Sequence, residues 1–163
     1  MDEIKKSFTP IINKNSKVLI LGTLPGAKSL ELSQYYGDPR NQFWTIIYRI
    51  FKKESPDSEY ENKVNFILDN NLALWDVIHS AERKGSLDAN IKNEMCNDIE
   101  GLLQQYPNIE KIVLGGGKAA RTFKKHFPNT GVEIVEVPST SPIPGRNIKT
   151  LDEKVKIWGK AIL

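Results

Sequence analysis

The sequence predicts an α/β fold, a three-layer αβα sandwich around a central four-stranded parallel sheet. Three observations lead there. Four short apolar runs recur along the chain, helical patterns lie between them, and the runs feed loops rich in Gly, Pro, Ser or charged residues. Strands that alternate with helices pair in parallel through right-handed crossovers, which puts helices on both faces of the sheet.

The first run, Lys17 to Leu21, is apolar and β-branched enough for a buried strand, and Gly22, Pro25 and Gly26 end it at once. Asn41 to Lys52 then reads as a helix with Phe43, Ile46, Ile47, Ile50 and Phe51 on one face. The stretch Lys52 to Asn62, "KKESPDSEYEN", is polar and predicts an exposed connection. Leu72 to Val77 is the second strand, and Asn90 to Tyr106 predicts a helix through Ile91, Met95, Ile99, Leu102 and Leu103. Lys111 to Gly115 is the third strand and Lys118 to Phe127 a short basic helix. Val132 to Val137 is the fourth strand. The last helix starts at Thr150, three residues before Glu153 in a capping box, and runs through Val155, Ile157, Trp158 and Ile162.

Bulk properties narrow the function classes. The 163 residues, 39% of them hydrophobic, suit one domain spanning the whole chain, 1–163. A net charge of +3 means that attraction to a polyanion has to come from local clusters of Lys and Arg. The single cysteine, Cys96, excludes an internal disulfide and a four-cysteine metal site, and it fits a reducing cytoplasm. No long apolar run or leader-like segment is present, so a soluble cytoplasmic protein without membrane contact is expected. His79 and His126 lack Cys or carboxylate neighbours at ligand spacing, and no metal is expected. Nor is there a GxSxG elbow or a Ser-His-Asp ordering.

In a parallel sheet the loops after the strands open on one edge, where ligands bind. Four loops meet these terms: "GTLPGAKS" with its Tyr-rich continuation, "DVIHSAERKGS", "GGGKAAR" and "PSTSPIPGRN". In the third, glycines and Lys118 at the helix start suit an anion, but they equally suit a tight strand-to-helix turn, and a P-loop or dinucleotide spacing is missing, so no cofactor is expected. In the fourth, prolines can hold the hydroxyls of Ser139, Thr140 and Ser141 ready for phosphate, with Arg146 and Lys149 supplying charge; the alternative is a plain connection. Two roles fit Asn41, the cap of the following helix or an amide facing the cleft. Asp76 likewise ends its strand, either turned into the cleft or capping a helix. Tyr35 and Tyr36 are candidates for stacking on a flat ligand, against the commoner fate of core packing, where Phe43 and Trp44 are assigned.

Together these residues resemble the uracil-DNA glycosylase superfamily over nearly the whole chain. "GTLPG" and "VPSTSP" stand for its G-x-x-P loop after the first strand and x-P-S loop after the last. "YYGDPRNQFW" and "LGGGKAARTF" are similar to its mismatch-specific uracil branch, but Leu24 stands where that branch has a water-positioning Asn, and Val137 where it has another Asn. Leu24 therefore opposes ordinary uracil excision. The hypoxanthine-DNA glycosylase branch resembles this chain further, in "GTLPGAKSL", "QYYGDPRNQFW", "LWDVI", "GSLD" and "PSTSP".

The resemblance implies a monomeric, monofunctional glycosylase of base excision repair acting on single- or double-stranded DNA with a deaminated base, hypoxanthine foremost. It implies Asn41 as catalytic and Tyr36 as the aromatic stacked on the extruded base. Gly22, Thr23, Leu24, Pro25 and Gly26 would wall the base pocket; Asp76, inferred from its position and donor matching and not carried from the family, would read the base. Lys118, Pro138, Ser139, Thr140, Ser141, Pro142 and Arg146 would face DNA. A uracil or G/U-mismatch glycosylase is the alternative in the same class. A non-catalytic, flavodoxin-like nucleotide-binding module is the alternative outside it.

Overall fold

A computed structural model of the chain describes residues 4–141 and 149–163. In chain order the elements are β1 Ile4–Lys6, β2 Val18–Gly22, α1 Ala27–Leu32, α2 Phe43–Ile50, α3 Tyr60–Asp69, β3 Leu72–Asp76, β4 Ile78–Glu82, a 3₁₀ turn Asp88–Asn90, β5 Lys92–Cys96, α4 Ile99–Gln105, β6 Lys111–Gly115, α5 Gly117–His126, β7 Glu133–Val137 and α6 Leu151–Ile162.

The central sheet has four parallel strands in the order β3-β2-β6-β7, as the alternation predicts. Its core is split by the two-residue period of a strand. Val18 and Ile20 of β2 point into one cluster while Leu19 and Leu21 point into the other. Leu72 and Leu74 against Ala73 repeat the division in β3, as Val113 against Ile112 and Leu114 do in β6. One face is covered by α2 and α6, whose Ile46, Ile47, Trp158 and Ile162 join the first cluster. The other is covered by α4 and α5 through Ile99, Leu102 and Phe123. Burial on both faces explains why these strands read as unbroken apolar runs.

The segment expected as one helix from Asn90 to Tyr106 is instead a 3₁₀ turn, the strand β5 and the shorter helix α4. Its apparent helical period is misleading, since Met95 is 66% exposed while Ile91 and Ile99 are buried in different clusters. Asn97 interrupts it: the buried amide donates to the Asp76 and Ile78 carbonyls at 2.7 and 3.4 Å and to Ser7 Oγ at 3.1 Å. Asp98 then caps α4, accepting from the Gly101 N–H at 3.0 Å. β5 pairs antiparallel with β4, which pairs antiparallel with β1, so a small second sheet flanks the parallel one. The polar stretch after Lys52 does stay irregular until Tyr60, where α3 begins.

At the C-terminal end the capping box forms as expected. Thr150 Oγ1 accepts from the Glu153 N–H at 3.2 Å and Glu153 Oε1 from the Thr150 N–H at 3.1 Å. Among the described residues no helix is long and apolar enough to cross a membrane. Because α6 closes one layer of the core, Thr150→Ala should lower unfolding free energy by about 1 kcal/mol in a urea titration. An unchanged midpoint would mean that tertiary packing alone fixes the start of α6.

Candidate active site

The carboxyl ends of all four parallel strands line one cavity of about 660 Å³, within the range of small-ligand sites. Gly22 ends β2, Asp76 ends β3, Gly115 ends β6, and Ser139 follows β7; each lies in its lining. The sheet order explains the location. β2 connects outward to β3 and the chain then returns past β2 to β6, and the crevice sits at this reversal.

Every residue of the first loop expected at the site, Gly22, Thr23, Leu24, Pro25 and Gly26, lines the cavity. Gly22 cannot be larger without displacement. A Cβ there would lie 2.8 Å from Asp76 Oδ1 and 3.1 Å from the Tyr36 hydroxyl. Leu24 is buried, packed with Ile78, Ala81 and Ile91 on the small sheet. An apolar side chain at that position is thus built into the fold.

The two adjacent tyrosines diverge. Tyr35 is buried, its hydroxyl donating to the Thr9 carbonyl at 2.9 Å and its carbonyl accepting from Trp44 Nε1 at 3.1 Å. Tyr36 stays half-buried in the lining and stacks on Phe43, with centroids 3.8 Å apart and planes 10° from parallel. Its backbone is left-handed, with φ 52°, a conformation that disfavours a bulky residue and costs on the order of 1–3 kcal/mol. The stack and the adjoining aromatic packing hold it there.

Asn41 lies just before α2, one residue ahead of the helix N-cap Gln42. Its Oδ1 accepts from the Phe43 N–H at 2.9 Å, and the residue lines the cavity. The fourth loop is fastened to the same point. Gln42 N–H donates to the Thr140 carbonyl at 3.0 Å, and Lys154 Nζ donates to Gln42 Oε1 at 2.8 Å and to the Ser141 carbonyl at 3.4 Å. Trp158 Nε1 holds the Pro138 carbonyl at 2.9 Å. Ser139, Thr140 and Ser141 line the cavity; Pro142 and Arg146 lie outside the described residues.

Lys118 does not line the cavity: its Nζ is 3.2 Å from Glu94 Oε2 across to β5. The glycines before it have steric reasons to be there. Gly116 has φ 102°, and a Cβ on it would come within 3.3 Å of Ser139 Cβ.

Asp76 is buried and its Oδ2 has no hydrogen-bond partner among the described residues. Burial pushes its pKa up to about 7, the charge of Arg83 works in the opposite sense, and Asp88 adds to the rise. Asp76 lines the cavity, and a carboxyl there can accept a hydrogen bond from a ligand N–H when ionised. Its neighbours Arg83, Ser86 and Asp88, and the buried Lys154, were not singled out in the sequence. Lys154 sits four residues before Trp158 on the inward face of α6, a spacing that marks it as facing in; Arg83 sits in the charged run "AERKGS" with no such signal.

The family model described as the uracil DNA glycosylase superfamily matches residues 9–161. A hypoxanthine DNA glycosylase of Methanosarcina acetivorans is 35% identical over 85% of this chain and 87% of its own. Another of that name, from Methanosarcina barkeri, is 34% identical over 96% of this chain and 97% of its own. A solution structure from Methanosarcina acetivorans, provisionally called a uracil DNA glycosylase, superposes with a TM-score of 0.85 at 32% identity, covering 98% of this chain and 97% of that one.

The contact between Gly22, Asp76 and Tyr36 yields a structural prediction. Gly22→Ala should destabilise the protein by about 1–3 kcal/mol, the usual cost of overpacking. Denaturant melts with wild-type midpoints would show that the Asp76 and Tyr36 side chains yield freely.

Proposed function

Since this chain belongs to the uracil-DNA glycosylase superfamily, we propose that it is a DNA glycosylase that extrudes and hydrolytically removes a deaminated base, hypoxanthine foremost. The observation that carries the substrate reading is the buried Asp76 carboxyl, which lines a cavity walled by Tyr36 and the Gly22 to Gly26 loop and whose pKa is raised by that burial. It is supported by the names of the two Methanosarcina relatives.

A base inside a duplex is out of reach, so the nucleotide must be turned out of the stack into the pocket. Tyr36 offers the base a ring already fixed by Phe43. Hypoxanthine presents an O6 acceptor and an N1–H donor on its pairing edge; backbone N–H groups of the first loop serve the one, and ionised Asp76 serves the other. Adenine presents the reverse pattern, which leaves buried groups unpaired and rejects the normal base.

Bond cleavage passes through a sugar with oxocarbenium character, which water then attacks at C1′. Asn41 does not titrate and so is no general base. Its oxygen is engaged by the Phe43 N–H, which leaves the amide N–H groups to hold water or the departing base. The Pro138 to Ser141 segment offers hydroxyls and backbone groups to phosphates flanking the flipped nucleotide. Pro142 and Arg146 extend that surface in sequence, and Lys118 joins it by leaving Glu94.

Uracil carries the same acceptor and donor pair as hypoxanthine, and Asp76 can read it equally well. Leu24 opposes that second reading, being unable to position water.

Single-turnover cleavage of duplexes carrying one hypoxanthine, uracil, xanthine or no lesion tests the assignment. Release at hypoxanthine well above uracil is expected; the reverse order would transfer the chain to uracil repair, and silence on all would return it to nucleotide binding. Asn41→Ala should slow hypoxanthine release by about 10²-fold or more, the range for a lost preorganised donor. An unchanged rate would leave Asn41 as a helix cap only.

A further inference from the structure

Arg83 is fully buried directly after β4, at 1% exposure, and no step above uses it. A guanidinium taken out of water persists only where it is paired and hydrogen-bonded. Here its Nη2 donates to the Pro25 carbonyl, its Nη1 lies 3.9 Å from Asp88 Oδ1, and its Nε has no partner among the described residues. Asp88 Oδ2 accepts from the Thr23 hydroxyl at 3.4 Å, and Ser86 Oγ accepts from the Ala27 N–H at 2.8 Å. The segment Arg83 to Asp88 therefore grips the first loop at three points, Thr23, Pro25 and Ala27. Its arginine also acts electrostatically on Asp76.

We propose that Arg83 is a positioning residue for base excision: buried behind the pocket loop, it holds that loop through the Pro25 carbonyl and, together with its partner Asp88, sets the charge environment of the base-reading Asp76. This rests on the role of Asp76 in the reading above. Among the described residues, the charged and titratable groups that interact with Asp76 are Arg83, Asp88 and the Tyr35 and Tyr36 phenols. Lys118 and Arg121 of α5 stand beyond Asp88 and act on it. Of those facing Asp76, only Arg83 favours the charged form. Burial disfavours that form, and the negative charge of Asp88 adds to the cost.

The sign follows. A carboxylate that must be ionised to accept from the base gives a rate that rises with pH through its pKa, near 7 here. Removing the arginine charge raises that pKa, so activity should appear only at higher pH.

The test is the pH profile of single-turnover hypoxanthine release, for wild type and four variants. Wild type should show an acid limb near neutrality and Asp76→Asn none. Arg83→Gln should move the limb up by about one pH unit, which is about a fivefold loss at pH 7 and approaches about tenfold at lower pH. Arg83→Lys keeps a charge but loses the forked donor geometry; it should leave the limb in place and lower the plateau. Asp88→Asn should move the limb down, and it carries the test if Arg83→Gln does not fold. A flat Asp76→Asn profile with unmoved limbs in Arg83→Gln and Asp88→Asn would overturn the role of Arg83 alone. An Asp76→Asn profile identical to wild type would overturn the reading of Asp76 and this proposal together.

Discussion

The site depends on one ring. Phe43 is completely buried, stacked on Tyr36 and in edge contact with Trp44 and Trp158. Each partner reaches a different part of the pocket. Tyr36 is its aromatic wall, Trp158 holds the Pro138 carbonyl of the fourth loop, and Trp44 ties down the Tyr35 carbonyl in the loop before α2. The Phe43 N–H is also what fixes the Asn41 side chain. Losing this ring would leave a cavity and at once release three walls of the site, which links core packing to geometry without any intermediate element.

On the proposed reading, Asn41 shows why holding the start of α2 and catalysis need not be alternatives. A free asparagine side chain rotates about two bonds, and ordering it at the moment of reaction costs entropy. Here the start of α2 has already spent that entropy, because Oδ1 is committed to the Phe43 N–H. In the proposed catalytic role the amide nitrogen is the end left to the cleft, and a donor with its direction preset is what electrostatic stabilisation requires. Lys154, reaching from α6 to Gln42 and to the Ser141 carbonyl, stiffens the neighbouring residue in the same way. Its burial lowers its pKa, a sign that the fold tolerates a strained charge in order to tie helix and loop together.

The parallel sheet was legible because its strands are buried on both faces, so Lys17 to Leu21 and Lys111 to Gly115 carry their apolar character without interruption. The small sheet was not. β5 is an edge strand with Lys92, Asn93 and Met95 exposed, and its spacing from Ile91 to Ile99 imitates a helix. Asn97 and Asp98 mark the true boundary, one by satisfying three partners in the interior and the other by capping α4. α3 was hidden by the polar stretch before it, although Val64, Ile67 and Leu68 carry a helical spacing. Of the site, the first and fourth loops could be read from Gly, Pro and hydroxyl residues at strand ends. Arg83 could not, because its burial is decided by the contact of two sheets that are distant in sequence and looks like a solvated charge until they meet.

That second sheet also accounts for Leu24. The side chain fills the seam made by Ile78, Ala81 and Ile91, of which the first two belong to β4 and the third precedes β5. An asparagine in this seam would bring an amide into an apolar cluster with few partners, at a cost of roughly 1–3 kcal/mol. Conversely, once leucine is there, position 24 can shape the pocket only with its backbone and its apolar surface. In the proposed mechanism the polar work of the site then falls on groups attached elsewhere, with Asn41 held by α2 and Asp76 by β3. Packing at one seam thereby decides which elements are left to carry the chemistry.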